Sequence, residues 1–245
     1  MNWLLLLRGL KFPPYFSLRD RLAHLTKDAE PDIQHFCAQF LKPGMVVMDV
    51  GANVGLLTRQ FCRLVGEDGR VYSFEPDPLT FQFLEFNTQS LANKELTQCA
   101  VSDNQELAML HLNSTSGAGN SLLNKTHSTE SISVPCISLD EFLKQRGNPR
   151  VDVIKIDVEG AELGVLRGVR QTIARLPDLK LIIEYCPANL KGAGVAPRAI
   201  YDELRSQNFN LHAICLDGNL QAIHRLEELD GHLNAAGYLN LFCAR

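Results

Sequence analysis

Short apolar runs alternating with stretches of helical spacing constrain this chain more than any other feature. Residues 45–50 form such a run, broken only by Asp49, and it ends in the turn Gly51-Ala52-Asn53-Val54-Gly55. A continuous apolar run of that length predicts a strand buried on both faces, as in a parallel sheet. Residues 54–65 follow with Leu57, Phe61 and Leu64 on one helical face. The next strand is expected over 70–75 and the next helix over 78–91, opened by Asp77 with a proline in its first turn. Strands over 96–101, 151–157, 180–184 and 211–216 continue the pattern, with helices over 139–146, 161–176 and 197–207. Residues 237–243 add a last strand, antiparallel at the sheet edge. Repeated units of this kind define an α/β fold with a doubly wound, mostly parallel sheet.

The rhythm breaks between Glu106 and Pro135. Two short strands, 107–112 and 131–135, frame the polar loop 113–121, which either covers a ligand or is an ordinary hairpin connection. Residues 1–41 are expected to form an N-terminal helical arm and 42–245 one domain. The apolar run 3–7 falls far short of the roughly 20 residues a spanning helix needs, so no transmembrane segment is expected. Two readings of it stay open. It docks on the domain or on a second copy in a homodimer, or it is a peripheral membrane foot with Trp3 in the lipid and Arg8, Lys11 and Arg19 on phosphates.

Lys and Arg total 24 against 28 Asp and Glu, a formal net charge of −4. That balance speaks against a nucleic-acid partner, which calls for a basic surface. The seven cysteines are scattered without a C-x-x-C pair, as suits thiols in a reducing cytoplasm, and the histidines lack the spacing of a zinc hydrolase.

Chemistry is expected at the strand ends. Asp49 precedes a glycine turn that is not G-x-G-x-x-G and carries no phosphate-binding lysine. A carboxylate there repels a pyrophosphate and attracts an ammonium, which favours S-adenosylmethionine over NAD. Gly51 would let a ligand approach the backbone, and Gly55 would let helix and sheet come close. Glu75, ending the second strand, is positioned to accept from ribose hydroxyls. Ser102 and Asp103 end the third strand and either bond the adenine amine or cap a turn. Lys155 and Asp157 share one strand face, and a lysine in an apolar strand needs such a partner. Glu159 and Glu162 straddle a helix start, where carboxylates are favoured whether or not they do chemistry. Glu184 ends the next strand. Acids converging on this rim could supply a general base or hold a divalent ion.

Taken together, Val47-Met-Asp49-Val-Gly-Ala-Asn-Val-Gly55, Phe74-Glu75-Pro76, Ala100-Val-Ser-Asp103, Gly119-Asn-Ser-Leu122 and Ile154-Lys-Ile-Asp-Val-Glu-Gly-Ala-Glu162 resemble the FkbM family of methyltransferases, over about residues 42–184. The resemblance implies a class I methyltransferase fold and S-adenosylmethionine as cofactor. It further implies transfer to a hydroxyl of a sugar, polysaccharide or natural-product acceptor. By motif, Asp49, Gly51 and Asn53 would line the methionine end, Glu75 the ribose and Ser102 with Asp103 the adenine; Gly55 and Pro76 belong to the same cofactor-binding set. Asp157 and Glu159 would face the transferring methyl, with Lys155 and Glu184 beside them. The competing expectation is a catalytically silent cofactor-binding scaffold of a biosynthetic complex.

Overall fold

In the computed structural model, which describes residues 10–14, 16, 30–103, 106–112, 122 and 130–245, the apolar runs line up in one sheet. At its centre lie β1 (Val46–Val50) and β7 (Val153–Ile156), flanked by β2 (Arg70–Phe74) and β3 (Lys94–Thr97) on one side and β8 (Lys180–Tyr185) on the other. These strands are all parallel. Beyond β8 follow β11 (Leu239–Ala244), β9 (Asn210–Ile214) and β10 (Leu220–Ile223). β11 runs antiparallel to both of its neighbours. The expected edge position for this strand is therefore corrected: it is wedged between β8 and β9, and the β9–β10 hairpin forms the edge instead.

The two-residue period of the strands divides the core in two. On one face Val47, Val71, Val153 and Ile182 pack against Ile33 and Phe36 of α1 (Pro31–Phe40) and Leu57 and Phe61 of α2 (Leu56–Val65). On the other, Met48, Phe74, Ile154 and Ile156 pack against Phe142 of α4 (Leu139–Lys144), Leu166 of α5 (Glu162–Arg167) and Leu204 of α8 (Arg198–Ser206). Asp49 and Lys155 also lie on the first face, side by side in the β1–β7 register. α3 (Pro78–Thr88) starts as its sequence predicts, with the Asp77 carboxylate accepting from Leu79 N–H and Pro78 at the first position.

Two more expectations need correction. Residues 161–176 form two helices, α5 and α6 (Arg170–Arg175), rather than one. The Asp140 carboxylate, reaching over from α4, accepts from the backbone N–H groups of Gln171 and Thr172, so α6 has its own cap and starts afresh. The strand over 96–101 is split as well. The chain leaves the large sheet after Thr97, and β4 (Ala100–Val101) pairs instead with β6 (Glu130–Ile137). β6 pairs antiparallel with β5 (Glu106–Leu112), completing a three-stranded side sheet. Sequence reasoning did not anticipate β10, α7 (Pro187–Gly192) or α9 (Glu228–Gly231).

The loop 113–121 and most of the expected N-terminal arm lie outside the described residues. Lys11 is described. Its backbone N–H donates to Asn87, and its ammonium sits 3.9 Å over the Phe86 ring. No helix among the described residues is long and apolar enough to cross a membrane. None of the seven cysteines is in a disulfide, and five of them are buried.

Candidate active site

The C-terminal ends of β1, β2, β7 and β8 converge on one rim, where an open parallel sheet binds its ligands. The turn after β1 is tied to β2 by Gly51 and Ala52 N–H groups that both donate to the Phe74 carbonyl. Gly51 has φ +83°, and a Cβ there would lie 1.8 Å from the Asp157 carbonyl oxygen. The requirement for glycine thus comes from the backbone just after β7. Gly55 is the N-cap of α2, and a side chain there would strike Leu84 and Thr88 of α3. Its close contact is with a helix rather than with the sheet.

Glu75 organises this turn. Its two oxygens accept from Asn53 N–H at 2.9 Å and Asp77 N–H at 3.0 Å. The residue is buried, and burial pushes its carboxyl up to about 8 despite those two donors. Each oxygen keeps a second lone pair for a ligand hydroxyl. Asn53, at φ +50°, turns its own side chain back to accept from Val54 N–H. Pro76 joins Glu75 to the cap of α3.

Asp49 is wholly buried; Thr58 donates to its Oδ2 at 2.6 Å and in turn contacts Ser73 at 3.0 Å. Its Oδ1 accepts no hydrogen bond. Lys155 Nζ lies 3.9 Å from that oxygen, 3.1 Å from Asp157 Oδ2 and 3.4 Å from the Gly51 carbonyl. Burial alone would depress the Lys155 ammonium, but the carboxylates of Asp157, Glu30 and Asp49 outweigh it and hold its pKa above the usual lysine value. The lysine expected to need a partner therefore has several.

After Asp157 the chain turns through Glu159, at φ +56°. The Glu159 carboxylate is not a helix cap: Asn189 of α7 donates to it at 2.7 Å. Glu162 does take the local structural role, accepting from the N–H groups of Val158 and Gly160 and so fixing the turn. Glu184, near the end of β8, is held well above the usual carboxylate range by burial and by the charges of Asp157, Glu159 and Glu30. Among the described residues no three His, Cys, Asp or Glu side chains gather closely enough to hold a metal ion. The acids of this rim are engaged elsewhere, Asp157 on Lys155 and Glu159 on Asn189.

Ser102 and Asp103 stand apart from this group. Ser102 Oγ donates to Asp103 at 3.1 Å, and both edge a cavity of about 360 Å3. Leu107 and Met109 of β5 and Leu163, Gly164 and Arg167 of α5 are among its other lining residues.

Comparison with known proteins decides the family. The model of the methyltransferase FkbM domain matches residues 49–211. The chain belongs to the FkbM family of methyltransferases. It is 30% identical over 202 residues to the 31-O-demethyl-FK506 methyltransferase FkbM of Streptomyces tacrolimicus, covering 67% of this chain and 77% of that protein. It is also 30% identical over 152 residues to the hexuronic acid methyltransferase AglP of Haloferax volcanii, covering 59% of this chain and 58% of that protein. Among solved structures, a candidate O-methyltransferase from Klebsiella pneumoniae superposes with a TM-score of 0.52 at 11% identity, over 98% of this chain and 86% of that one. The fold is that of class I methyltransferases, and this FkbM-family protein is an S-adenosylmethionine-dependent O-methyltransferase.

The rim suits that cofactor chemically. S-adenosylmethionine supplies an electrophilic methyl on a sulfonium and carries an ammonium, and this site offers carboxylates with one lysine among them. A phosphate-rich dinucleotide would meet Asp49 and Glu75 instead of cations. Two participants escaped the sequence reading, Glu30 and Asn189. Glu30 sits at the start of α1 in no periodic pattern, and Asn189 lies on a six-residue helix too short to announce itself.

Proposed function

We propose that this FkbM-family protein methylates a hydroxyl group of a saccharide or natural-product acceptor. In this proposal Asp49, Gly51, Asn53 and Gly55 flank the methionine end of the cofactor. Glu75, backed by Pro76, accepts from the ribose, and the cavity beside Ser102 and Asp103 takes the adenine. The observation that carries the proposal is the convergence of Asp157, Glu159 and Glu184 at one rim, with Asp157 paired to the ammonium of Lys155. An acceptor hydroxyl must lie in line with the methyl carbon, and its proton must leave as the new bond forms. Lys155 fixes Asp157, and Asn189 fixes Glu159, so both carboxylates can orient the hydroxyl. Glu184, whose carboxyl burial and the neighbouring acids hold above the usual range, is a stronger base when ionised than an ordinary glutamate, which suits it to accept that proton.

The relatives' names support the acceptor class, one being a hexuronic acid methyltransferase and the other acting on a demethylated FK506. A cytoplasmic location, with seven cysteines outside any disulfide, is part of the same proposal. So is contact of the N-terminal arm with a second copy or a membrane surface. The Lys11–Phe86 contact favours the packed reading of the arm.

The test is single-turnover transfer of a labelled methyl group to a panel of uronic acid glycosides and macrolide alcohols. Asp157→Asn, Glu159→Gln and Glu184→Gln should each keep S-adenosylhomocysteine affinity within a few-fold. At least one should slow the chemical step by about 10²–10⁴, the scale of a lost general base. Wild-type rates in all three would remove the acid–base role from this rim.

A further inference from the structure

We propose that Asn87 is a positioning residue for the cofactor turn, and that through it docking of the N-terminal arm and binding of S-adenosylmethionine strengthen each other. The inference rests on the reading that the turn after β1 faces the cofactor, and it adds the arm to the binding machinery.

Asn87 is buried in the last turn of α3, and each of its polar atoms has a use. Its Oδ1 accepts from Lys11 N–H at 2.8 Å. Its Nδ2 donates to the Lys11 carbonyl at 2.9 Å and to the Val54 carbonyl at 2.8 Å. A side-chain amide has one acceptor oxygen and two N–H donors, so a single orientation of the group serves all three partners. Aspartate would lose both donors, and leucine would leave the Lys11 N–H and two carbonyls without this partner. One side chain therefore joins the arm to the turn.

Both ends of this link are well anchored. On the arm, Leu10, Pro13 and Phe16 are buried, and Phe16 N–H donates to the Pro13 carbonyl at 3.1 Å. On the turn, Val54 is wholly buried, and its N–H donates to Asn53 Oδ1 at 2.7 Å. Gly55 follows, so close to α3 that a Cβ there would lie 2.7 Å from Leu84 and 3.1 Å from Thr88. Leu84, Asn87 and Thr88 share one face of α3 by their spacing of three and four residues. The second half of the turn rests on that face.

Glu75 holds the first half. Its carboxylate accepts from Asn53 N–H and from Asp77 N–H at the start of α3. Two successive residues are thus fixed from the two ends of one helix, Asn53 by Glu75 and Val54 by Asn87. The first clamp is complete within the domain, whereas the second is shared with the arm. An undocked arm takes two of the three hydrogen bonds from Asn87 and frees its rotamer, so the Val54 carbonyl loses a fixed donor. A ligand that favours the ordered turn therefore favours the docked arm. By linkage, the docked arm raises the ligand's affinity by the same factor.

Calorimetry and hydrogen exchange on the full chain test the link in both directions. Lys11→Pro removes the arm's N–H donor, and Asn87→Asp removes both donors of the amide. Each should weaken S-adenosylhomocysteine binding fivefold or more. Phe86→Leu, which takes away the ring under the Lys11 ammonium but leaves the amide link, should change it less than twofold. In the reverse direction, saturating S-adenosylhomocysteine should slow exchange of the Lys11 and Phe16 amides fivefold or more in the wild-type chain, and Asn87→Asp should abolish that protection. A role in folding alone would lower the variants' melting temperatures without making the arm amides respond to ligand. Unchanged affinity in Lys11→Pro overturns the proposal, as does an equal loss in Phe86→Leu or wild-type arm exchange that the ligand leaves unaltered. These three readouts stand even where Asn87→Asp fails to fold. Failure of the wild-type chain to bind S-adenosylhomocysteine at all would bring down the cofactor reading, and this inference with it.

Discussion

At the scale of single residues, Glu75 adds to its expected ligand role a structural task that sequence reasoning did not foresee. It ties the β1 turn to the start of α3 through Asn53 and Asp77 N–H groups, and in the proposal it also accepts from the ribose. Glu75→Ala should weaken S-adenosylhomocysteine binding by roughly 1.5–3 kcal/mol, the range for a hydrogen bond to a charged group. Titration calorimetry alongside circular dichroism would check this, because a weakened ligand on an intact fold separates the ribose contact from the turn. Lys155 shows the opposite pattern. Its type and strand position already required a buried partner, and the structure supplies Asp157, with Asp49 further off.

At the scale of elements, the seat of α1 depends on a strand distant in the chain. Phe242 of β11 is buried, with ring centroids 4.9 Å from Phe36 and 5.1 Å from Phe40. Phe242→Ala should therefore cost about 3–5 kcal/mol, the usual loss for a buried phenylalanine. Urea unfolding would measure it, and a change under 1 kcal/mol would mean that α1 is held by other contacts. The same seat keeps Glu30 and Asp32 at the rim, so this packing and the chemistry of the site are mechanically linked.

At the scale of the whole molecule, the rim stores protons. Burial raises the Glu75 carboxyl to about 8 and that of Glu30 to about 7 in the folded chain, against about 4.5 for each when exposed. Between those values the folded state binds more protons than the unfolded one, so stability falls as pH rises through this window. Carboxylates with lowered values, such as Glu203 and Glu141, act only at more acid pH. The melting temperature should thus be lower at pH 8.5 than at pH 5.5, and saturating S-adenosylhomocysteine should narrow the gap if its ribose donates to Glu75 as proposed. Scanning calorimetry at both values with and without ligand checks it; a flat profile would show that the rim is already neutralised.

What the sequence determined by itself was the alternation of buried parallel strands with helices and the position of each motif at a strand end. Those follow from local periodicity and from Asp77, Pro78 and the glycine turn, all read within a few residues. Only tertiary structure decided the rest. The break between α5 and α6 depends on Asp140, about thirty residues away in the chain. The place of β11 depends on which open strand edges remain, and the roles of Glu30 and Asn189 on helices that reach the rim from distant parts of the chain. A periodic pattern reports which face of an element is buried, but not which element buries it.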